Sequence, residues 1–142
     1  MFSGSRLGDL KYTLGLFDTS GQEESDRLRP LSYPGTDVFL VFVRIGSLRT
    51  FVNAEGIWIP EITHHCPRVP FLIVGVGSED DEELLDLARK NREPGNHEDY
   101  TKLGHELAHR FGVAYVECNI LTQKGLKNVF DEVREPVVHN AR

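Results

Sequence analysis

Residues 105 to 115 read HELAHRFGVAY. Two histidines four apart, with a glutamate after the first, make H-E-x-x-H, a helical pattern that sets two imidazoles on one face to hold zinc and leaves the glutamate to act on a bound water. Gly112 falls where the longer zinc-protease pattern has its glycine, whereas Tyr115 stands where that pattern needs its third ligand. The competing reading is a solvated helix face. At about 100° per residue, Tyr100, Leu103, Leu107 and Phe111 form one apolar stripe and His105 and His109 fall on the far side, toward water. The second reading is preferred: His105 and His109 are considered as metal ligands and rejected, and a zinc hydrolase is kept only as a remote alternative. His64, His65 and Cys66, in ITHHCP, are a further candidate set. Neighbours on a helix point about 100° apart and share one ion poorly, so a helix end, which favours a positive imidazole, accounts for them better.

A different chemistry is available at Asp18 to Gln22, DTSGQ, directly after an apolar run. Open α/β sheets place their ligand loops at strand ends of this kind. In a nucleotide switch the aspartate would reach magnesium through a water, the glycine amide would approach a terminal phosphate, and the glutamine would position an attacking water. D-x-x-G equally suits a strand-to-helix turn with Asp18 as cap and Gly21 supplying backbone freedom, and its spacing alone does not separate the two.

The elements that must position these residues follow from pattern. With 142 residues, 39% hydrophobic and 27% charged, the chain supports one domain with a single core. Sixteen basic against 22 acidic residues give a net charge of −6, which argues against a nucleic-acid function. No apolar stretch is long enough to span a bilayer, and MFSGSRLGDL lacks the basic and apolar regions of a secretion signal, so a cytoplasmic protein is expected. Cys66 and Cys118 sit in apolar surroundings and read as buried thiols. Short apolar runs alternate with helical patterns, the mark of a mostly parallel sheet with helices on both faces. Strands are predicted at Lys11 to Phe17, Val38 to Val43, Phe71 to Gly75 and Val113 to Cys118. A helical stretch holds Phe51, Ile57, Trp58 and Ile62. Another, EDDEELLDLARKNREP, is acid-started and base-ended and stops at Pro94 and Gly95. Helices are further predicted over His97 to Phe111 and Gln123 to Arg134.

Three long stretches, LGLFDTSGQEESDRLRPLSYPGTDVFLVF, IPEITHHCPRVPFLIVG and YVECNILTQKGLKNVFDE, together resemble the Rho family of Ras-like small GTPases over roughly Tyr12 to Val133. The resemblance implies a Ras-like P-loop NTPase fold over 1–142, with the Rho-type insert helix at about 82–94. It implies GTP or GDP and magnesium as ligands, with Asp18, Thr19, Gly21, Gln22, Glu79 and Ile120 at family nucleotide-site positions. Asp18 is on the magnesium side, and Gln22 is the vestigial catalytic position. It also implies the protein partners of Rho GTPases (exchange factors, activating proteins and effectors) meeting a surface of Arg27, Leu28, Arg29, Leu31 and Tyr33. The alternative for these leucines is that they dock a switch helix onto the sheet.

Departures from the family pattern set the expectations about activity. No G-x-x-x-x-G-K-[ST] occurs in the 142 residues, and the chain begins within or just after what resembles the second strand. The fold is therefore expected to be truncated, lacking the first strand and helix. Where the family reads the base with threonine, glutamine or lysine, one further residue and aspartate, this chain has Val76, Gly77, Ser78 and Glu79. The later Ser-Ala-Leu or Ser-Ala-Lys is Asn119, Ile120 and Leu121, a loop whose role depends partly on backbone amides. Ser20 and Ser25 replace the usual alanine and tyrosine. Without a phosphate cradle, tight GTP binding and turnover are not expected. The leading expectation is a nucleotide-incompetent signalling protein that acts through partners. The alternative is a GTP-hydrolysing switch whose N-terminal segment is absent from this chain. The gap left between the strands resembling KYTLGLF and VFLVFV predicts marginal stability or association. The ending VVHNAR offers no cysteine for prenylation.

Overall fold

Five consecutive residues of FLIVGVG, Leu72 to Val76, include three in a row, Leu72, Ile73 and Val74, that are at most 3% exposed, and alternate residues of a strand point to opposite faces. Both faces of this strand are therefore covered, as a central parallel strand requires. The computed structural model of the chain describes residues 2–7, 10–14, 33–77 and 82–140, with side chains over 33–77 and 82–133. Two compact units are distinguished, Met1–Gly35 and Thr36–Arg142.

In the first unit, β1 (Phe2–Leu7) and β2 (Leu10–Leu14) form an antiparallel hairpin running from the pair Phe2 and Leu14 to the pair Leu7 and Leu10, with one irregularity between Ser3 and Ser5. Gly8 and Asp9 separate the strands in sequence, residue types that two-residue hairpin connections favour. β1 is an element that the sequence pattern does not announce: FSGSRL has only two large apolar residues, one at each end. The predicted strand over Lys11 to Phe17 corresponds to β2, and its last three residues lie outside the described ones.

The second unit is α/β. β3 (Phe39–Arg44), β4 (Phe71–Gly77) and β5 (Tyr115–Asn119) form a parallel sheet in the order β3-β4-β5. Between β3 and β4 runs one helical stretch: α1 (Leu48–Asn53), a π-helical turn (Ala54–Trp58) and α2 (Ile59–His65). Pro60 has no N–H to donate, and the widened turn lies directly before it. α3 (Glu82–Lys90) has acids in its first turn and bases in its last, and Arg89 contacts both Glu82 and Asp86. It stops earlier than the predicted Pro94, because Arg92 turns left-handed (φ 57°) and the Glu93 amide closes onto the Ala88 carbonyl.

α4 (His97–Phe111) has the predicted bounds. Gly112 (φ 67°) is its left-handed cap, with the Val113 amide donating to the Ala108 carbonyl at 3.0 Å, so Val113 belongs to the cap and β5 starts two residues later than predicted. α5 (Leu126–Asn140) runs past the predicted end at Arg134 and through Pro136, a position that costs the helix one backbone bond without ending it. α1 packs on β3, α4 on β4 and β5, and α5 on β5.

The buried face of α4 is Tyr100, Gly104, Leu107 and Ala108; of the predicted stripe, Leu103 is half-buried and Phe111 exposed. Tyr100 packs against Phe51 with ring centroids 5.7 Å apart, and its hydroxyl is the one buried side-chain polar atom without a hydrogen-bond partner among the described residues. Gly104 is required by its neighbour, since a Cβ there would fall inside the Tyr115 ring. Alanine favours a helix interior by about 1 kcal/mol over glycine, while overpacking costs about 1–3 kcal/mol. The clash is with a confined ring, so Gly104→Ala is expected to destabilise the fold by a net ~1–2 kcal/mol in denaturant titration. An increase in the unfolding midpoint would show that the ring moves aside freely.

Candidate functional site

The carboxyl ends of β4 and β5 come together at Gly77 and Asn119, the last pair of the parallel register. One residue further on, the Ile120 amide donates to the Gly77 carbonyl at 3.0 Å. Asn119 then folds the chain back on itself. Its Oδ1 accepts from the Leu121 amide at 2.9 Å and the Thr122 amide at 3.0 Å, a turn that asparagine makes with its own backbone. The Asn119 amide donates to the Lys124 carbonyl at 2.8 Å, and Gln123 (φ 61°) donates to the Asn119 carbonyl at 2.8 Å. Gly125 (φ 87°) lies so close to the Glu117 carbonyl that no side chain fits there. The loop therefore spends its amides on itself and on β4, while Ile120 and Leu121 expose their side chains.

The positions singled out in sequence divide unevenly over this arrangement. Ile120 is at the sheet edge beside Gly77. Asp18, Thr19, Gly21, Gln22 and Glu79 lie outside the described residues, as do Arg27, Leu28, Arg29 and Leu31. Tyr33 is described and is 5% exposed. His105 and His109 are exposed on α4, although the His105 ring also meets the Tyr115 ring edge-on at 4.9 Å. His64 and His65 lie edge to face at 5.1 Å and are exposed. Among the described residues no three His, Cys, Asp or Glu side chains are grouped to hold a metal ion. Cys66 and Cys118 are free thiols and half-buried rather than buried as expected, and burial pushes the Cys118 thiol up.

One cluster was not singled out in sequence. Glu117, on β5, accepts from the Thr101 hydroxyl at 2.6 Å and the Tyr115 hydroxyl at 2.6 Å, and lies 3.0 Å from His97 Nε2. His97 and Thr101 are four apart on α4 and so share a face, while Tyr115 and Glu117 are two apart on a strand and share another. These spacings were the available signal. Burial pushes the Glu117 carboxyl up, but the bonds from Thr101, Tyr115 and His97, with the charge of His97, outweigh it and hold the group below the usual carboxylate range. Burial and the Glu117 carboxylate together raise Tyr115. The cluster ties the first turns of α4 to the strand that leads into the Asn119 loop.

A family model described as the Ras family matches residues 4–139. The chain belongs to the Ras family. Ras-family GTPases generally bind GTP or GDP with magnesium and are met by regulators and effectors. Gly77 has no side chain to lay over a guanine ring, and the Ile120 amide, at the position where the family loop works through its backbone, is already bonded to Gly77. No helix among the described residues is long and apolar enough to cross a membrane.

A carboxyl whose folded pKa is lowered contributes stability that is fully present above its unfolded pKa and is lost as pH falls through the folded value. Glu117→Gln is therefore expected to cost ~1–2 kcal/mol at neutral pH and to flatten the acid limb of the stability curve. Superimposable urea titrations of the two proteins at neutral and acid pH would exclude the role given to this carboxylate.

Proposed function

We propose that this chain is a Rho-type member of the Ras family, resembling cell division control protein 42, that acts by binding protein partners and, as these 142 residues, neither holds nor hydrolyses GTP. The observation that carries the reading is the bond from the Ile120 amide to the Gly77 carbonyl, 3.0 Å long, at a position where the family loop turns its backbone to the base. Binding guanine there would require breaking that bond, and Val76 and Gly77 supply no side chain in its place. The sequence adds a second consideration, because no residue among the 142 can take the part of the phosphate-loop lysine in a G-x-x-x-x-G-K-[ST] motif. In this reading residues 1–142 are a single Ras-like domain, residues 82–94 hold the Rho-type insert, and the protein works in the cytoplasm. Its partners are exchange factors, activating proteins or effectors of Rho GTPases, met by Arg27, Leu28, Arg29, Leu31 and Tyr33, the last of which is 5% exposed.

A second reading is favoured by the retained Asp18, Thr19, Gly21 and Gln22, the residues through which a GTP-hydrolysing switch would position magnesium and water. It requires a phosphate cradle from a segment outside this chain.

Two experiments test these readings. Phosphate release from magnesium GTP is expected to match buffer alone for both the chain and its Gln22→Leu variant; turnover that Gln22→Leu abolishes would refute nucleotide incompetence. In pull-downs with Rho exchange factors and effectors, the Leu28→Ala, Leu31→Ala double variant is expected to retain at most about a tenth of the binding, the loss usual for two truncated anchor residues. Equal capture by a folded double variant would remove this surface from the proposal.

A further inference from the structure

Among the described residues β3 stands at one end of the sheet order, paired on one side only. Peptide groups alternate in direction along a strand. Phe39, Val41, Val43 and Ile45 aim theirs at β4, as the bonds from the Phe39 amide to Pro70 and from the Ile45 amide to Val76, each 3.0 Å, mark at the two ends. Leu40, Phe42 and Arg44 aim theirs the other way. The Arg44 amide is held by the Thr50 hydroxyl at 2.8 Å. For the amides and carbonyls of Leu40 and Phe42 the described residues supply no partner, which leaves two donors and two acceptors in a row on the open edge. The side chains have the same character. Phe42 is 55% exposed, although Val41 and Val43 on either side are 5% and 1% exposed. FLVFVR carries no proline or lysine and only one charge, at its end, so the devices that usually protect an edge strand are missing.

We propose that this edge is an interface between two copies of the chain, in which β3 pairs antiparallel with β3 of the second copy about a two-fold axis at Val41. Leu40 of each copy then lies opposite Phe42 of the other. In that register every open group meets its complement: the Leu40 and Phe42 amides of each copy donate to the Phe42 and Leu40 carbonyls of the other. Opposed residues of an antiparallel pair share a face, so both leucines and both phenylalanines form one apolar cluster. Moving the axis to Phe42 would set Leu40 against Arg44, whose amide Thr50 already holds, and both Leu40 carbonyls would be left without a donor.

The second copy is the occupant because the edge is complementary to itself in donors, acceptors and apolar side chains, as a two-fold interface requires. It carries no charged side chain in its middle that would select a different partner, and the two Arg44 side chains go to opposite ends of the paired strands. One strand edge and two apolar side chains per copy fall at or below the roughly 1,200 Å² at which stable interfaces begin, so dissociation on the order of tens of micromolar is expected. The interface is independent of whether nucleotide binds.

Sedimentation velocity of the full chain from about 5 to about 500 μM is expected to show a concentration-dependent dimer, and Phe42→Lys to raise the midpoint at least about tenfold. In the unsubstituted chain, hydrogen exchange at the Leu40 and Phe42 amides is expected to slow as the dimer forms, while the β4 amides keep their protection. This second measurement stands even where Phe42→Lys impairs folding. A monomer throughout the range overturns the proposal, as does a dimer that a folded Phe42→Lys variant leaves intact. Protection of the two amides in a species that remains monomeric also overturns it, since the edge is then covered from within the chain.

Discussion

The hydrogen bond between the Ile120 amide and the Gly77 carbonyl carries the pairing of β4 and β5 one residue beyond the last strand pair. A backbone amide has one hydrogen and can serve one strong acceptor at a time. At the edge of a parallel sheet, where ligands of open α/β folds are bound, that single allocation decides whether the loop is closed or available. Here the Ile120 amide is taken up by Gly77, and Asn119 accepts from the next two amides.

The closure depends on how β5 is held. Tyr115 lies in a space that only glycine leaves open, at Gly75 of β4 and Gly104 of α4. Its hydroxyl passes the constraint to Glu117, which also gathers Thr101 and His97 from the start of α4. Helix, strand and loop are thus fastened through one carboxylate two residues before Asn119. Two histidines of α4 join this arrangement, His97 by its bond to Glu117 and His105 by meeting the Tyr115 ring.

Much of the second unit was legible in sequence because its signals are local. The apolar runs of β3 and β4 and the acid-to-base order of α3 need no knowledge of the rest of the chain. α4 was delimited at both ends, by His97 and by Phe111 before Gly112. Its predicted stripe departs from the structure at Phe111, which lies in the last turn and is 40% exposed although its ring meets that of Phe71 at the start of β4. β1 was not announced because FSGSRL lacks alternation and takes its order from pairing with β2. The site was harder to read. The lack of a side chain at Gly77 is visible in the sequence, whereas the fate of the Ile120 amide is a matter of register between residues 43 positions apart, Gly77 and Ile120. Likewise, Glu117 joins residues 16 and 20 positions away, a distance over which spacing rules say nothing.

The most direct measurement of the central claim follows the amide resonances of Gly77, Ile120 and Leu121 in an isotope-labelled sample titrated with magnesium GDP. The account predicts that all three stay in place up to millimolar nucleotide, with Ile120 slow to exchange its hydrogen. Saturable shifts of Ile120 at submicromolar GDP, with loss of its bond to Gly77, would contradict it.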